Sequence, residues 1–228
     1  MSRLALEPLA AACAAHLAAT MDGDAAHDLA HVRRVVASAV RLAREEGADL
    51  DVVLPAAWLH DGVTVPKDSP DRARASGLAA RAAVAWLQAR GFPDAKLDAV
   101  AHAIEAHSFS AGIAPRTPEA RVVQDADRLD ALGAIGIARC YATAGAMGSA
   151  LVHPDDPVPA VDDDFQPLAR ALDDRRYATD HFFAKLFRLP ATMQTEAGRR
   201  EAKRRVAFMQ GFLAQLQSET APPEASGE

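Results

Sequence analysis

Cysteine is scarce in this chain: Cys13 and Cys140 are the only two among 228 residues, and they lie far apart. No zinc-type spacing and no disulfide framework can be built from them, so the expectation is a pair of buried free thiols in a reducing compartment. Aromatic residues are also few, at 5%. No apolar run is long enough to span a bilayer, and the N-terminus has no basic stretch leading into a clean apolar one. The expectation is therefore a cytoplasmic protein without a membrane partner. Excess positive charge is missing too: the net charge is −6, which argues against a partner with many phosphates, such as a nucleic acid duplex. Period-2 alternation and Asn-Gly hairpin signals are absent, which argues against a sheet. No serine or cysteine stands with a base in a nucleophile motif, so a covalent enzyme intermediate is not expected.

What is present is helical periodicity almost throughout. Leu6, Leu9, Cys13 and Leu17 recur at threes and fours, as do Leu29, Val32, Val36, Ala39 and Ala43 before a stop at Gly47. Leu97, Val100, Ala101 and Ile104 follow a turn at Gly91-Phe92-Pro93. Thr117 reads as an N-cap with Pro118 at the first helical position. Thr179 is expected to cap a helix through Phe182, Leu186 and Leu189 that Pro190 closes, and Ala202 to Leu216 form a last amphipathic helix. Residues 62–69 and 153–167 read as loops. The fold class expected is all-α, a single-domain helical bundle. Residues 1–24 would be an N-terminal helix packed on a core of 25–217, and 218–228 a disordered tail.

The residues that carry chemistry lie on separate helical segments. His60-Asp61 ends an apolar stretch, Leu54 to Leu59, with Gly62 as the expected C-cap. His27, His31 and Arg34 share one helix face at intervals of four and three. After Thr117, Val122, Ala126 and Leu129 form one stripe, and Val123, Asp127, Asp130 and Ala134 a second. Asp127 is thus expected in a helix–helix contact, where a carboxylate is costly unless paired or bound to a cation. Imidazole and carboxylate together suit a divalent cation that keeps positions open for water and substrate. His107 shares the inward face of Val100 and Ile104, whereas His102 points the other way; His16 and His153 read as surface residues. Lys67 follows the His60-Asp61 helix on a loop, and His181, Lys185 and Arg188 share a basic face at four and three. Each could reach a phosphate or simply face water.

His31, His60-Asp61 and Asp127 match the H…HD…D pattern of the HD-domain metal-dependent phosphohydrolases. His27-Asp28-Leu29-Ala30-His31-Val32-Arg33-Arg34-Val35 resembles the HDxxHxxRV opening of the YedJ/YpgQ-like branch. Ala106-His107-Ser108-Phe109-Ser110, the run from Gln124 to Ala134, and Asp180-His181-Phe182 with Lys185-Leu186 are also similar to that branch. The resemblance covers roughly residues 25 to 215 and implies an all-helical fold. It also implies a divalent metal (manganese, magnesium, nickel or cobalt) and hydrolysis of phosphate esters or anhydrides, with nucleotides as substrates of some members. On this reading His31, His60, Asp61 and Asp127 hold the metal, and Asp61 and His107 are catalytic through a metal-activated water. Lys67, His27, Asp130, His181 and Lys185 line a pocket for a small phosphorylated substrate, a nucleotide or a similar compound. The alternative is an HD domain that binds a nucleotide in a regulatory role without turning it over. Oligomeric state, the number of metal ions and the bond cleaved are left open by the sequence.

Overall fold

The computed structural model describes residues 6–20, 29–63, 74–108 and 111–220. The fold is all-α, as expected, and no strand forms among the described residues. Contacts group the chain into two compact units, residues 1–130 with 193–199 and residues 131–192 with 200–228.

The first unit is built around one helix. α3 (Leu50–Leu59) is apolar on every side, and all its residues from Val52 to Leu59 are buried. A helix of that composition needs neighbours all round. It has them in α1 (Leu6–Thr20), α2 (Leu29–Glu46), α4 (Ala75–Gln88), α5 (Asp94–His107) and α6 (Pro118–Leu129). Burying its Val, Leu and Trp side chains contributes about 1.5–3 kcal/mol each. Asp49 is the N-cap, its carboxylate accepting from the Asp51 N–H at 2.9 Å. Lys96 clamps the same end through Asp49 at 2.8 Å and Asp51 at 2.6 Å. Pro55 lies inside α3 and removes one backbone donor.

The helix boundaries follow the predicted signals in most places. Gly47 and Gly91 take left-handed φ of 70° and 71°, which ends α2 and turns the chain ahead of α5. The Thr117 hydroxyl accepts from the Ala120 N–H at 3.2 Å, with Pro118 at the first helical position. The end of α3 differs from expectation. His60 itself is the C-cap, in right-handed helical geometry. Gly62 does not take the left-handed conformation, and its N–H bonds the Leu59 carbonyl at 3.1 Å.

The second unit gathers most of the scarce aromatic residues. α7 (Gly133–Ala146) contributes Tyr141, and α10 (Glu196–Thr220) contributes Phe212. Both rings stand against Phe182, with centroids 6.1 and 6.3 Å away. Phe187 lies 6.0 Å from Phe182 and 5.2 Å from Phe183. Gly136 is required in α7, because a Cβ there would collide with the Ala131 carbonyl. The segment after Thr179 departs from the predicted single helix. It breaks into α8 (Asp180–Ala184), a 3-10 turn over Leu186–Arg188, and α9 (Leu189–Thr192). Lys185 takes φ −137°, ψ −55° between them, and Pro190 lies inside α9 instead of closing a helix. Thr179 is not a side-chain cap; its buried hydroxyl makes no hydrogen bond. The loop ahead of α8 is organised by Arg170. Its guanidinium donates to both oxygens of fully buried Asp180 at 2.6 and 2.7 Å and pairs with Asp156 at 3.0 Å.

Both cysteines are free thiols, Cys13 buried and Cys140 half-buried. Among the described residues, no helix is long and apolar enough to cross a membrane.

Candidate metal centre

Four helices of the first unit bring one residue set together: His31 from α2, His60-Asp61 from the end of α3, His107 from the end of α5, and Asp127 and Asp130 from the end of α6. His31 Nε2 lies 3.5 Å from Asp127 Oδ1 and 3.7 Å from Asp61 Oδ2. His60 Nε2 lies 3.5 Å from Asp61 Oδ2 and 3.9 Å from Asp127 Oδ1, and His107 Nε2 lies 3.6 Å from Asp61 Oδ1. Two overlapping sets arise, His31–His60–Asp127 and His60–Asp61–His107, each with its ligand atoms within 4.8 Å of one another.

Each imidazole is fixed from behind. His60 and His107 stand at helix C-termini, where the last carbonyls have no intrahelical partner. His60 Nδ1 donates to the Ala57 carbonyl at 2.9 Å and His107 Nδ1 to the Ile104 carbonyl at 2.6 Å. A carbonyl only accepts, so Nδ1 carries the proton in both rings and Nε2 turns to the cluster. His31 has the same arrangement with a carboxylate: its Nδ1 stands 2.7 Å from Asp130 Oδ2. Neutral imidazoles held this way present lone pairs as metal ligands do.

The separations test whether a cation fits. Two donors about 2.1 Å from an ion at a tetrahedral angle stand about 3.4 Å apart. The Nε2–carboxylate distances of 3.5–3.9 Å are close to that and longer than direct hydrogen bonds. Most telling is His60 Nε2, which is buried and makes no hydrogen bond. A lone pair turned to two half-buried carboxylates is an arrangement that a divalent cation completes.

Charge in the metal-free cluster is distributed unevenly. Burial pulls the His31 pKa down, but the hydrogen bonds and charges of Asp127 and Asp130 overcome it and raise it to about 9. His107 is also raised: burial opposes its charged form, and Asp61 and Asp127 prevail. His60 is lowered, because burial outweighs the attraction of Asp61 and the cationic neighbours add to it. Burial pushes Asp127 up, and the His31 hydrogen bond with the charges of His60, His107 and His31 holds it below the usual carboxylate range.

The other predicted residues divide as follows. Asp130, expected to touch substrate, is buried and turned to protein: Oδ1 accepts from Arg34 Nε at 2.7 Å, and Oδ2 from Arg34 Nη2 at 3.0 Å and His31. Its place is behind His31. His27 and Lys67 lie outside the described residues. His181 and Lys185 belong to the second unit, where His181 Nδ1 pairs with Asp174 at 2.9 Å and Lys185 is exposed. The expected His181–Lys185–Arg188 face does not form, since the helix breaks at Lys185 and Arg188 donates to the Phe183 and Phe165 carbonyls. His102 is half-buried and accepts the Arg116 N–H at 3.0 Å, and His16 stacks on Trp86.

Comparison with known proteins agrees with this geometry. The HD-domain family profile matches residues 28–132, which contain the whole cluster. The uncharacterized protein YpgQ of Bacillus subtilis is 35% identical over 202 residues, 87% of this chain and 86% of its own length. The chain belongs to the HD-domain superfamily, in its YpgQ-like branch. The crystal structure of B. subtilis YpgQ in complex with ADP superposes with a TM-score of 0.68 at 33% identity, covering 92% of this chain and 97% of that one. An HD-superfamily hydrolase from Bacillus thuringiensis superposes at 0.71 and 29% identity, covering 95% and 100%.

Proposed function

We propose that this chain is a divalent-metal-dependent phosphohydrolase acting on a nucleotide or a similar small phosphate compound. The observation that carries the reading is the buried His60 Nε2, which has no hydrogen-bond partner and is turned to Asp61 and Asp127. His31, His60, Asp61 and Asp127 would hold the ion, as manganese, magnesium, nickel or cobalt. Once bound, the ion supplies a Lewis acid for a phosphoryl oxygen and lowers the pKa of an attacking water. Two carboxylates and two neutral imidazoles leave it with little net charge to offset a phosphate's.

The protein supplies orientation and protons. Asp61 serves both sides of the site: Oδ2 faces His31 and His60, and Oδ1 faces His107. His107 keeps one proton at Nδ1 on the Ile104 carbonyl, and Asp61 beside its Nε2 raises its pKa. A proton carried at Nε2 would be placed for donation to a departing oxygen. The ADP held by YpgQ supports a nucleotide ligand for this branch. Lys67 is proposed as a charge partner of the phosphates, and His27 as a further substrate contact.

The test is a panel of nucleoside mono-, di- and triphosphates and simple phosphate esters. Metal-stripped protein would be assayed with each of the four metals, and products identified by ion exchange. Turnover that chelation abolishes and metal restores is expected. Single-turnover reaction in oxygen-18 water should place the label on the phosphorus-containing product. Turnover indifferent to chelation, or metal-replete protein without turnover, refutes the reading; nucleotide binding without turnover would replace it with a regulatory one.

A further inference from the structure

Behind His31 stands a charged chain for which no role has been assigned. Asp130 is the C-cap residue of α6 and is buried, with its side chain only 4% exposed. A carboxylate so deep needs compensation, and Arg34 supplies it through a fork: Nε to Oδ1 at 2.7 Å and Nη2 to Oδ2 at 3.0 Å. Oδ2 also lies 2.7 Å from His31 Nδ1. Arg34 is one helical turn after His31 on α2, so backbone geometry holds both donors on one face towards the same carboxylate. His60 and His107 achieve their orientation with backbone carbonyls of their own helices. Of the three, His31 alone depends on a side chain brought by a different helix.

We propose that Arg34 and Asp130 are positioning residues that set metal affinity through His31. This rests on the metal reading of the cluster above. Arg34 fixes the Asp130 carboxylate in place. The carboxylate then holds the His31 proton on Nδ1, which leaves Nε2 to bind the ion and makes it a stronger donor. Because the chain acts through a ligand and not on substrate, its loss should weaken the metal and leave the loaded enzyme's chemistry almost intact.

The decisive variant is Asp130→Asn, which keeps shape and one acceptor oxygen but loses the charge. Manganese titrated calorimetrically into metal-free protein should bind about 10–100-fold more weakly than to wild type. At saturating manganese, kcat and KM should return to within about twofold of wild type. In zinc-loaded protein with ¹⁵N-labelled histidine, the His31 Nδ1 proton is assigned by its loss in His31→Gln. That proton should move upfield in Asp130→Asn, a change that a merely structural role would not produce. Arg34→Ala should weaken manganese in the same direction, and Arg34→Lys should recover part of the loss, since lysine restores charge without the fork. Asp127→Ala serves as the control. If it abolishes binding while Asp130→Asn binds like wild type, the positioning role is wrong. Undiminished stoichiometric manganese in Asp127→Ala overturns the metal reading instead. A kcat defect in Asp130→Asn that persists at saturating manganese, with affinity unchanged, also overturns the positioning role.

Discussion

Asp125 sits two residues before Asp127 on α6 and is fully buried, yet its partners lie outside the His–Asp cluster. Its carboxylate accepts from the Gln194 N–H at 2.9 Å, the Thr195 N–H at 2.8 Å and the Thr195 hydroxyl at 2.7 Å. Thr195 in turn accepts the Gly198 N–H at 3.0 Å as the N-cap of α10. One carboxylate therefore anchors the segment that starts the last helix. Asp125→Ala would strand three donors, each costing about 1–3 kcal/mol if nothing replaced the partner. Backbone relaxation and a water entering the gap recover part of this, so about 3 kcal/mol is expected in urea unfolding followed by circular dichroism. Gly198 supplies an internal check. A Cβ there would collide with Asp125 Oδ2 and approach Thr195 Oγ1 at 2.7 Å. Gly198→Ala is therefore destabilising in wild type and much less so in an Asp125→Ala background, where the opposing oxygen is gone. A loss below about 1 kcal/mol for Asp125→Ala, or strict additivity of the two substitutions, would refute the anchoring argument.

His60→Ala removes the buried Nε2 and should reduce bound manganese to well below one per chain by elemental analysis, with kcat down at least about a hundredfold, roughly 3 kcal/mol. Burial, slightly offset by the Arg90 charge, lifts the Cys13 thiol from 9.0 to about 12. Since the folded value lies above the unfolded one, the contribution of Cys13 to stability is complete below pH 9 and lost as pH rises towards 12. Urea midpoints should fall more steeply above pH 9 in wild type than in Cys13→Ala, and parallel slopes would contradict this. Arg170→Ala leaves Asp180 buried without its bidentate partner, which should cost about 3–5 kcal/mol and open residues 148–178 to limited proteolysis; an unchanged digestion pattern would count against the bridge.

How far the fold could be read from the sequence depended on whether local chemistry or tertiary contact decided each boundary. Thr117-Pro118 and the glycines at 47 and 91 act within a few residues, and each stands where expected. The apolar repeat of residues 202–213 likewise gave the buried face of α10. The helix expected through residues 179–190 rested on Thr179 as a cap, apolar periodicity and Pro190 as a stop, and neither end signal acts as expected. Phe182, Phe183, Leu186 and Phe187 are all buried, and at about 100° per residue they fit one wide helix face. The break at Lys185 falls between them, and their spacing gives no sign of it.

The candidate site shows the same division at finer scale. His31, His60, Asp61 and Asp127 were legible because ligand types recur on separate helices, and the structure brings their polar atoms together. Asp130 was singled out for its face, and the structure sets its carboxylate against His31 and Arg34. It shares a stripe with Asp127, but at three residues' spacing the two carboxylates diverge by about 300°, or 60° the other way round. This is enough for one to face the cluster and the other to face α2. Asp130 is turned from the cluster by Arg34, whose fork captures its carboxylate from the opposing helix. The histidines at the ends of α3 and α5 carry a signal that sequence could have supplied. A histidine in a final helical turn can bond the carbonyl three residues back, as His60 and His107 both do. Two helices that end this way against one cluster fix two Nε2 atoms towards it. The preorganisation of the site therefore begins in ordinary helix termination, and only His31 needs a partner from elsewhere in the fold.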